Sequence, residues 1–183
     1  MSANQFHHFT EYGVGTKLYD LFARAASSLQ SPFLVIVRVY WGWQIAQNGW
    51  GKLHNLGNVM QFFGSLGLRA PGATATFVAT FEFVGGILLA VGLLTRIAAL
   101  GLVIDMTTAY IVADRQAFLS FFSDPNKFAA ADPFVFFFVG LLILIFGPGK
   151  ISIDAFSKHI FRKRSLHAAS SVPAWRESWE KQR

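Results

Sequence analysis

The sequence predicts an all-α membrane protein, a four-transmembrane-helix bundle with amphipathic N-terminal and C-terminal interfacial helices. Of its 183 residues, 53% are hydrophobic and only 14% are charged, whereas soluble domains carry about 25% charged residues. Four apolar stretches approach the roughly 20 residues that an α-helix needs to cross a bilayer. Glycine is plentiful and proline is scarce, a composition that allows membrane helices to pack closely.

Three regions follow one another along the chain. Residues 1–31 are predicted to form a cytoplasmic or interfacial segment, because residues 12–29 combine apolar and basic side chains as amphipathic interfacial helices do. Residues 32–150 contain the four predicted spans. Residues 151–183 are predicted to form a basic C-terminal helix followed by a polar tail.

The predicted spans cover residues 32–51, 73–94, 97–113 and 129–146. The second and third spans are separated only by Thr95 and Arg96, so we expect them to form an antiparallel hairpin. The connection between the first two spans is rich in glycine and is predicted to be irregular or partly interfacial. The connection before the fourth span mixes aromatic and polar residues and is predicted to lie on the membrane surface.

Orientation follows from basic residues near the span ends, because cytoplasmic loops carry an excess of lysine and arginine. One side of the membrane would hold eight basic residues, Lys17, Arg24, Arg96, Lys150, Lys158, Arg162, Lys163 and Arg164. The other side would hold four, Lys52, Arg69, Arg115 and Lys127. The more basic side contains both termini, which we therefore place in the cytoplasm. The first 30 residues lack the continuous apolar core of a cleavable signal peptide, so we expect the first span to direct insertion.

Three ionisable residues, Arg38, Glu82 and Asp105, lie inside separate predicted spans. A charge at membrane depth costs at least about 2.5 kcal/mol on insertion scales, so such residues usually face a partner inside the protein. At about 100° per residue, one face of the first span carries a set of polar and aromatic side chains. That set is Arg38, Trp41, Gln44, Asn48 and Lys52. Small residues surround Glu82 and Asp105, so both acids are predicted to face neighbouring helices.

Counting about 1.5 Å per residue from the span ends places Arg38 and Asp105 at similar depths, with Glu82 and Gln44 deeper. We therefore predict an Arg38–Asp105 ion pair and a contact between Glu82 and Gln44. Because two acids face one arginine, one carboxyl is in surplus. We take it to be Glu82, a group that could donate a hydrogen bond or transfer a proton.

Three interpretations of this cluster remain open. The charges could only fix helix packing, form a pocket for a quinone headgroup or another small ligand, or conduct protons or ions. The chain has no cysteine, which excludes thiol chemistry and cysteine-ligated iron–sulfur clusters or zinc on this chain. No histidine lies well inside a span, which argues against a membrane haem, and we predict neither a metal site nor an intrinsic cofactor. We interpret the net charge of +6 as favouring contact with anionic lipid headgroups and not with nucleic acid.

Three sequence motifs resemble those of the DoxX family of small four-helix membrane proteins of bacteria and archaea. They are RVYWGWQIAQNGWGKL, FEFVGGILLAVGLLTRIAAL and FGPGKISID, and the resemblance covers residues 32–154. Positions that match the family pattern are Arg38, Lys52, Glu82, Arg96 and the Gly147-Pro148-Gly149 turn. Asn48 stands where the family usually has histidine, and an asparagine can still hydrogen-bond a carbonyl group.

The resemblance implies a protein of the cytoplasmic (inner) membrane, while its implications for activity are broad. Some family members are similar to the DoxD subunit of thiosulfate:quinone oxidoreductase, and others are linked to oxidative-stress complexes that contain superoxide dismutase and a sulfurtransferase. A family of such varied functions does not by itself establish an activity.

Our first hypothesis is a membrane subunit of a quinone-linked redox assembly, whose partner supplies the redox centre. In it, Arg38 polarises a quinone carbonyl, Glu82 exchanges a proton and Asp105 holds Arg38 in place. Trp41, Gln44, Asn48 and Lys52 complete the predicted binding face. The alternatives are a non-catalytic scaffold that recruits a soluble enzyme, and a pathway for small solutes or protons. A protein partner or a homo-oligomer is expected in the first two cases.

Overall fold

The computed structural model describes the backbone of residues 4–157 and the side chains of residues 15–157. Its regular elements in this range are helices α1 to α7. Their bounds are α1 (Asn4–His54), α2 (Leu56–Ser65), α3 (Pro71–Val91), α4 (Thr95–Val112), α5 (Arg115–Leu119), α6 (Pro125–Ala129) and α7 (Pro133–Phe146). Residues 153–157 are also helical. Most of the basic C-terminal helix and the tail that the sequence predicts lie outside the described residues.

The first helix is longer than the sequence analysis predicted. The N-terminal segment and the first span form one continuous helix of 51 residues, which contains Pro32. A proline removes one hydrogen bond from a helix, yet its fixed φ angle is itself helical, so the chain can continue through it. The first half of α1 leaves Leu18, Leu21 and Phe22 more than 60% exposed. That apolar surface is available for the lipid contact predicted for residues 12–29.

Two helices in the described part of the chain, α3 and α4, have the length and apolar composition needed to cross a membrane. Their bounds agree with the predicted second and third spans to within a few residues. Helix α7 is apolar but has only 14 residues. The turn between α3 and α4 consists of residues 92–94, just before the predicted position. Gly92 and Leu94 adopt positive φ angles of 76° and 49° in this turn, and Thr95 and Arg96 already belong to α4.

Four helices pack around a common apolar core: α1 contacts α3, α3 contacts α4, α4 contacts α7, and α7 contacts α1. The core residues are Ile45, Leu89, Ala98, Ala99, Leu102, Met106, Val139 and Ile143. The contact between α1 and α3 is especially close because glycines face each other. A Cβ atom on Gly86 would lie 2.6 Å from the carbonyl oxygen of Gly42, and one on Gly49 would lie 2.7 Å from that of Ala79. Small residues allow this approach of two membrane helices.

The other helices extend the two ends of this arrangement. Helix α2 packs against α3 and α1 beside the C-terminal end of α1. The short helices α5 and α6 lie in the connection that the sequence analysis placed on the membrane surface. They contribute Ala117 and Phe128 to a second apolar cluster around Tyr110, whose hydroxyl donates a 2.8 Å hydrogen bond to the Phe128 carbonyl. We call the end with α2, α5 and α6 the cavity end, and the end with the α3–α4 turn the junction end.

Candidate functional site

The cavity end contains a cavity of about 710 Å³. Its apolar wall includes Phe62, Phe63 and Leu66 of α2, Met106 of α4 and Phe136 of α7. Its polar and charged lining residues are Asn48, Lys52, Asn58, Thr74, Glu82, Asp105, Thr108, Asp114 and Asp132. The cavity therefore combines a largely apolar surface with a limited set of polar groups, as sites for small organic molecules do.

An ion pair between Lys52 and Glu82 forms part of the cavity wall. The Nζ atom of Lys52 lies 2.5 Å from Oε1 of Glu82. The lysine belongs to the last turn of α1, and because Gly49 brings α1 against α3, its long side chain can reach the carboxylate. Glu82 is only 3% exposed, and its second oxygen, Oε2, is buried without a hydrogen-bond partner. A buried acceptor without a partner is uncommon in folded proteins and calls for an explanation.

Asp105 lies beside this ion pair and not beside Arg38. The carboxyl group of Asp105 is close enough to interact electrostatically with the carboxyl group of Glu82 and with the ammonium group of Lys52. The Oδ2 atom of Asp105 is also buried without a hydrogen-bond partner. Lysine, glutamate and aspartate thus form a cluster in which one basic residue faces two acidic residues, and each acid has a buried oxygen without a hydrogen-bond partner.

Arg38 lies at the junction end, so the predicted Arg38–Asp105 ion pair is wrong. Its guanidinium group donates hydrogen bonds to the carbonyl oxygens of Ala90 at 3.3 Å, Pro148 at 2.7 Å and Ile151 at 2.9 Å. The side chain is 3% exposed. Carbonyl groups at a helix end and in a turn lack intrahelical partners, and a buried guanidinium group can satisfy several of them. These carbonyl groups become available only where a helix ends and a turn begins, so depth along straight helices does not predict them.

Asp154 is the carboxylate that acts on Arg38, through an electrostatic interaction. Its two oxygens accept hydrogen bonds of 2.9 Å from the backbone N–H groups of Leu94 and Thr95, and its own N–H donates to the carbonyl of Gly92. A carboxylate at the start of a helix satisfies free N–H groups and complements the helix dipole. We call Arg38, Asp154 and the backbone groups that they bind the junction.

The remaining predicted residues divide between the cavity and the core. Asn48 lines the cavity. Trp41 packs edge-on against Phe136 at 5.9 Å between ring centroids, so it supports a lining residue from behind. Gln44 is not among the lining residues, and no hydrogen bond joins Gln44 to Glu82 in the described part of the chain, where Glu82 pairs with Lys52 instead. The structure brings Asn48, Lys52, Glu82 and Asp105 together; their binding of a ligand stays a prediction.

Sequence reasoning missed two contributors to the cavity. The first is α2, whose aromatic residues Phe62 and Phe63 face it; the apolar spacing of LGNVMQFFGS was the available signal. The second is the pair Asp114 and Asp132 at the ends of the connection containing α5 and α6. Within the described part of the chain, no group of three or more His, Cys, Asp or Glu residues could hold a metal ion.

The DoxX family model matches residues 33–115, which contain the cavity cluster and Arg38. A Bacillus subtilis (strain 168) protein named "Putative oxidoreductase CatD" is 30% identical over 117 residues, which are 56% of this chain and 86% of that relative. No solved structure matches the chain significantly. These matches agree with the apolar helices α3 and α4, and the chain is a membrane protein that belongs to the DoxX family.

Proposed function

We propose that this protein is the membrane subunit of a quinone-linked redox assembly and that its cavity holds the quinone headgroup. The observation that carries the proposal is the chemistry of the cavity wall. An apolar cavity of about 710 Å³ ends at Lys52, Glu82 and Asp105, and the two acids retain unpaired buried oxygens. A ligand with an apolar ring and polar substituents at its edge complements such a site.

The residues of the cluster would have two roles, hydrogen bonding to the quinone and proton exchange. The ammonium group of Lys52 retains N–H donors beyond the one that binds Glu82, and these can hydrogen-bond a quinone carbonyl. Glu82 and Asp105 can accept and return protons, as positioned carboxyl groups do in acid–base steps. This assignment revises the first hypothesis, because Arg38 binds backbone carbonyls at the junction end and is a structural residue.

The membrane topology forms part of the proposal. We propose four spans, one each from α1, α3, α4 and α7, in the cytoplasmic membrane with both termini inside, as the basic residues indicate. On that topology the cavity end lies in the outer half of the membrane, where a membrane-soluble ring system can enter. Because the chain has no cysteine, a partner would supply any thiol or iron–sulfur redox centre. A relative that carries the word oxidoreductase in its name is consistent with such an assembly.

Quinone retention by the full-length protein tests this function. The protein is purified in mild detergent with native lipids, and extracted quinone is quantified by mass spectrometry per mole of chain. We expect wild type to retain quinone, and Lys52→Met to retain about tenfold less because the donor is lost. Lys150→Met is the matched control, since Lys150 is exposed at the junction end, and it should behave as wild type.

The same purification separates the alternatives. Equal quinone retention by wild type and Lys52→Met would exclude the cavity as the site. Wild-type protein without quinone, which also fails to bind added ubiquinone-1 in lipid nanodiscs, would refute the proposed function. A soluble enzyme that co-purifies with such quinone-free protein would then favour the scaffold hypothesis.

A further inference from the structure

The unpaired oxygens of the cavity cluster have a definite hydrogen-bonding character. Glu82 accepts a hydrogen bond from the ammonium group of Lys52 through Oε1, and its buried Oε2 atom has no hydrogen-bond partner; a carboxylate oxygen is a hydrogen-bond acceptor. The Oδ2 atom of Asp105 is likewise buried without a donor. The cluster therefore contains one donor group, Lys52, and two acceptors that lack donors.

The two redox forms of a quinone complement this cluster to different degrees. An oxidised quinone offers only carbonyl oxygens, so it can accept from Lys52 but leaves both carboxyl oxygens unpaired. The reduced quinol carries two hydroxyl groups, each of which can donate to a carboxyl oxygen. Hydrogen bonds to an ionised acceptor are among the strongest that proteins form. Filling buried unpaired acceptors therefore favours the reduced form.

The charges around the cavity favour a neutral ligand over an anion. Among the described lining residues, Lys52 is the only basic side chain, whereas Glu82, Asp105, Asp114 and Asp132 are acidic. A site lined by one predominant sign of charge repels ligands of the same sign. The acidic side chains do not repel a neutral quinol, whereas they repel an anionic semiquinone or a sulfur oxyanion such as thiosulfate.

We propose that the cavity is a quinol-selective site that binds the two-hydroxyl form of its ligand more tightly than the quinone. This inference rests on the quinone-binding function proposed above and specifies which redox form the site holds. Selective binding of the reduced form raises the midpoint potential of the bound couple, by about 30 mV for each tenfold preference in a two-electron couple. The site thus makes the bound quinone a better electron acceptor than the free quinone.

Calorimetric titration of the full-length protein in lipid nanodiscs tests this selectivity. Three ligands of one ring system are compared without oxygen: durohydroquinone, duroquinone, and the dimethyl ether of durohydroquinone, which keeps the oxygens but has no hydroxyl donors. We expect durohydroquinone to bind about tenfold more tightly than duroquinone. The dimethyl ether should bind no more tightly than duroquinone, because it cannot donate to Glu82 or Asp105.

Variants assign the preference to the two carboxyl groups. In Glu82→Gln the preference for durohydroquinone should fall below about threefold, since the buried carboxylate acceptor is lost. Asp105→Asn should have the same effect and is the second variant should Glu82→Gln fail to fold, because Asp105 is only partly buried. Asp20→Asn is the matched control, as Asp20 is exposed on the first half of α1, and it should keep the wild-type preference.

The outcomes distinguish this inference from the function on which it rests. If duroquinone binds as tightly as durohydroquinone or more tightly, quinol selectivity is refuted while quinone binding stands. If none of the three ligands binds, the proposed function fails as well. A preference that survives both Glu82→Gln and Asp105→Asn would also overturn the inference, because it would have to arise elsewhere.

Discussion

The two ends of the protein each bury a charged side chain, and they differ in how completely its hydrogen-bonding capacity is used. At the junction end, Arg38 donates to three backbone carbonyls and Asp154 accepts from two backbone N–H groups. At the cavity end, Glu82 pairs with Lys52 through one oxygen and leaves the other unpaired, and Asp105 also retains an unpaired oxygen. Arg38 and Asp154 are bound by backbone groups without a ligand, although the nearby Thr95 Oγ1 is buried and unpaired. Glu82 and Asp105, in contrast, leave carboxyl oxygens unpaired in residues that line a cavity.

This difference shows that burial of a charge does not by itself identify a binding site. Arg38 and Glu82 are equally buried, at 3% exposure each, and both match the family pattern at the sequence level. Buried polar groups in folded proteins are nearly always satisfied, so a charge bound by the backbone is explained by the fold alone. Unpaired carboxyl oxygens in charged residues that line a cavity are not explained by backbone binding in this way. We therefore propose that the junction serves stability and that the cavity cluster binds the ligand.

Replacing Arg38 with methionine should have the largest effect on stability. Three carbonyl oxygens lose a charged donor, and Asp154 loses a nearby positive charge. We expect the free energy of unfolding to fall by about 4 kcal/mol, as measured by thermal unfolding followed by circular dichroism in detergent. Arg24→Met, at an exposed position on α1, should leave unfolding unchanged. If Arg38→Met unfolds like wild type but loses quinone, the two ends have been assigned the wrong way round.

A methyl group at Gly86 should have the next largest effect, because α1 and α3 connect both ends. The added Cβ atom would lie 2.6 Å from the Gly42 carbonyl oxygen, and such overpacking costs about 1–3 kcal/mol. Gly86→Ala should lower the unfolding temperature and weaken quinone binding together, since Lys52 and Glu82 lie on these two helices. The control is Gly57→Ala, where the same methyl group meets open space. Equal unfolding temperatures for Gly86→Ala and Gly57→Ala would show that α1 and α3 are not held in close contact.

Truncating Asp154 to alanine should have a smaller effect that is confined to the junction. The N–H groups of Leu94 and Thr95 lose their acceptors, and loss of such a cap costs about 1 kcal/mol. We expect a modest decrease in unfolding temperature without a change in quinone affinity, both measured on the same nanodisc sample. The control is Asp20→Ala, which removes an exposed aspartate on α1 and should leave the unfolding temperature unchanged. A quinone affinity that falls with Asp154→Ala would show that the ends are coupled.

The sequence was sufficient to predict the helices that form the core and several residues of the candidate site. Hydropathy located α3 and α4 to within a few residues, and helical periodicity placed Asn48 and Lys52 on one face of α1, where both line the cavity. The small residues around Glu82 correctly indicated that this carboxylate faces another helix, since Glu82 of α3 pairs with Lys52 of α1. These successes rest on local patterns that a single helix determines.

The errors concern partners that only the packed chain defines. Arg38 binds carbonyls that become available where α3 ends and where the Gly-Pro-Gly turn follows α7, and a count of depth along straight helices contains no such groups. Lys52 was placed on the correct face, but its pairing with Glu82 depends on the close approach of α1 and α3 at Gly49. The lining provided by α2 likewise depends on how a short connecting helix folds back.

The central claim, that the Lys52–Glu82 pair serves ligand binding and not stability, is tested most directly by the double variant Lys52→Met/Glu82→Leu. Replacing a buried ion pair with apolar residues of similar size is often neutral or stabilising. We predict that this variant unfolds within about 1 kcal/mol of wild type and that calorimetry in nanodiscs detects no ubiquinone-1 binding. A variant that is strongly destabilised, or one that binds ubiquinone-1 as tightly as wild type, would contradict the account.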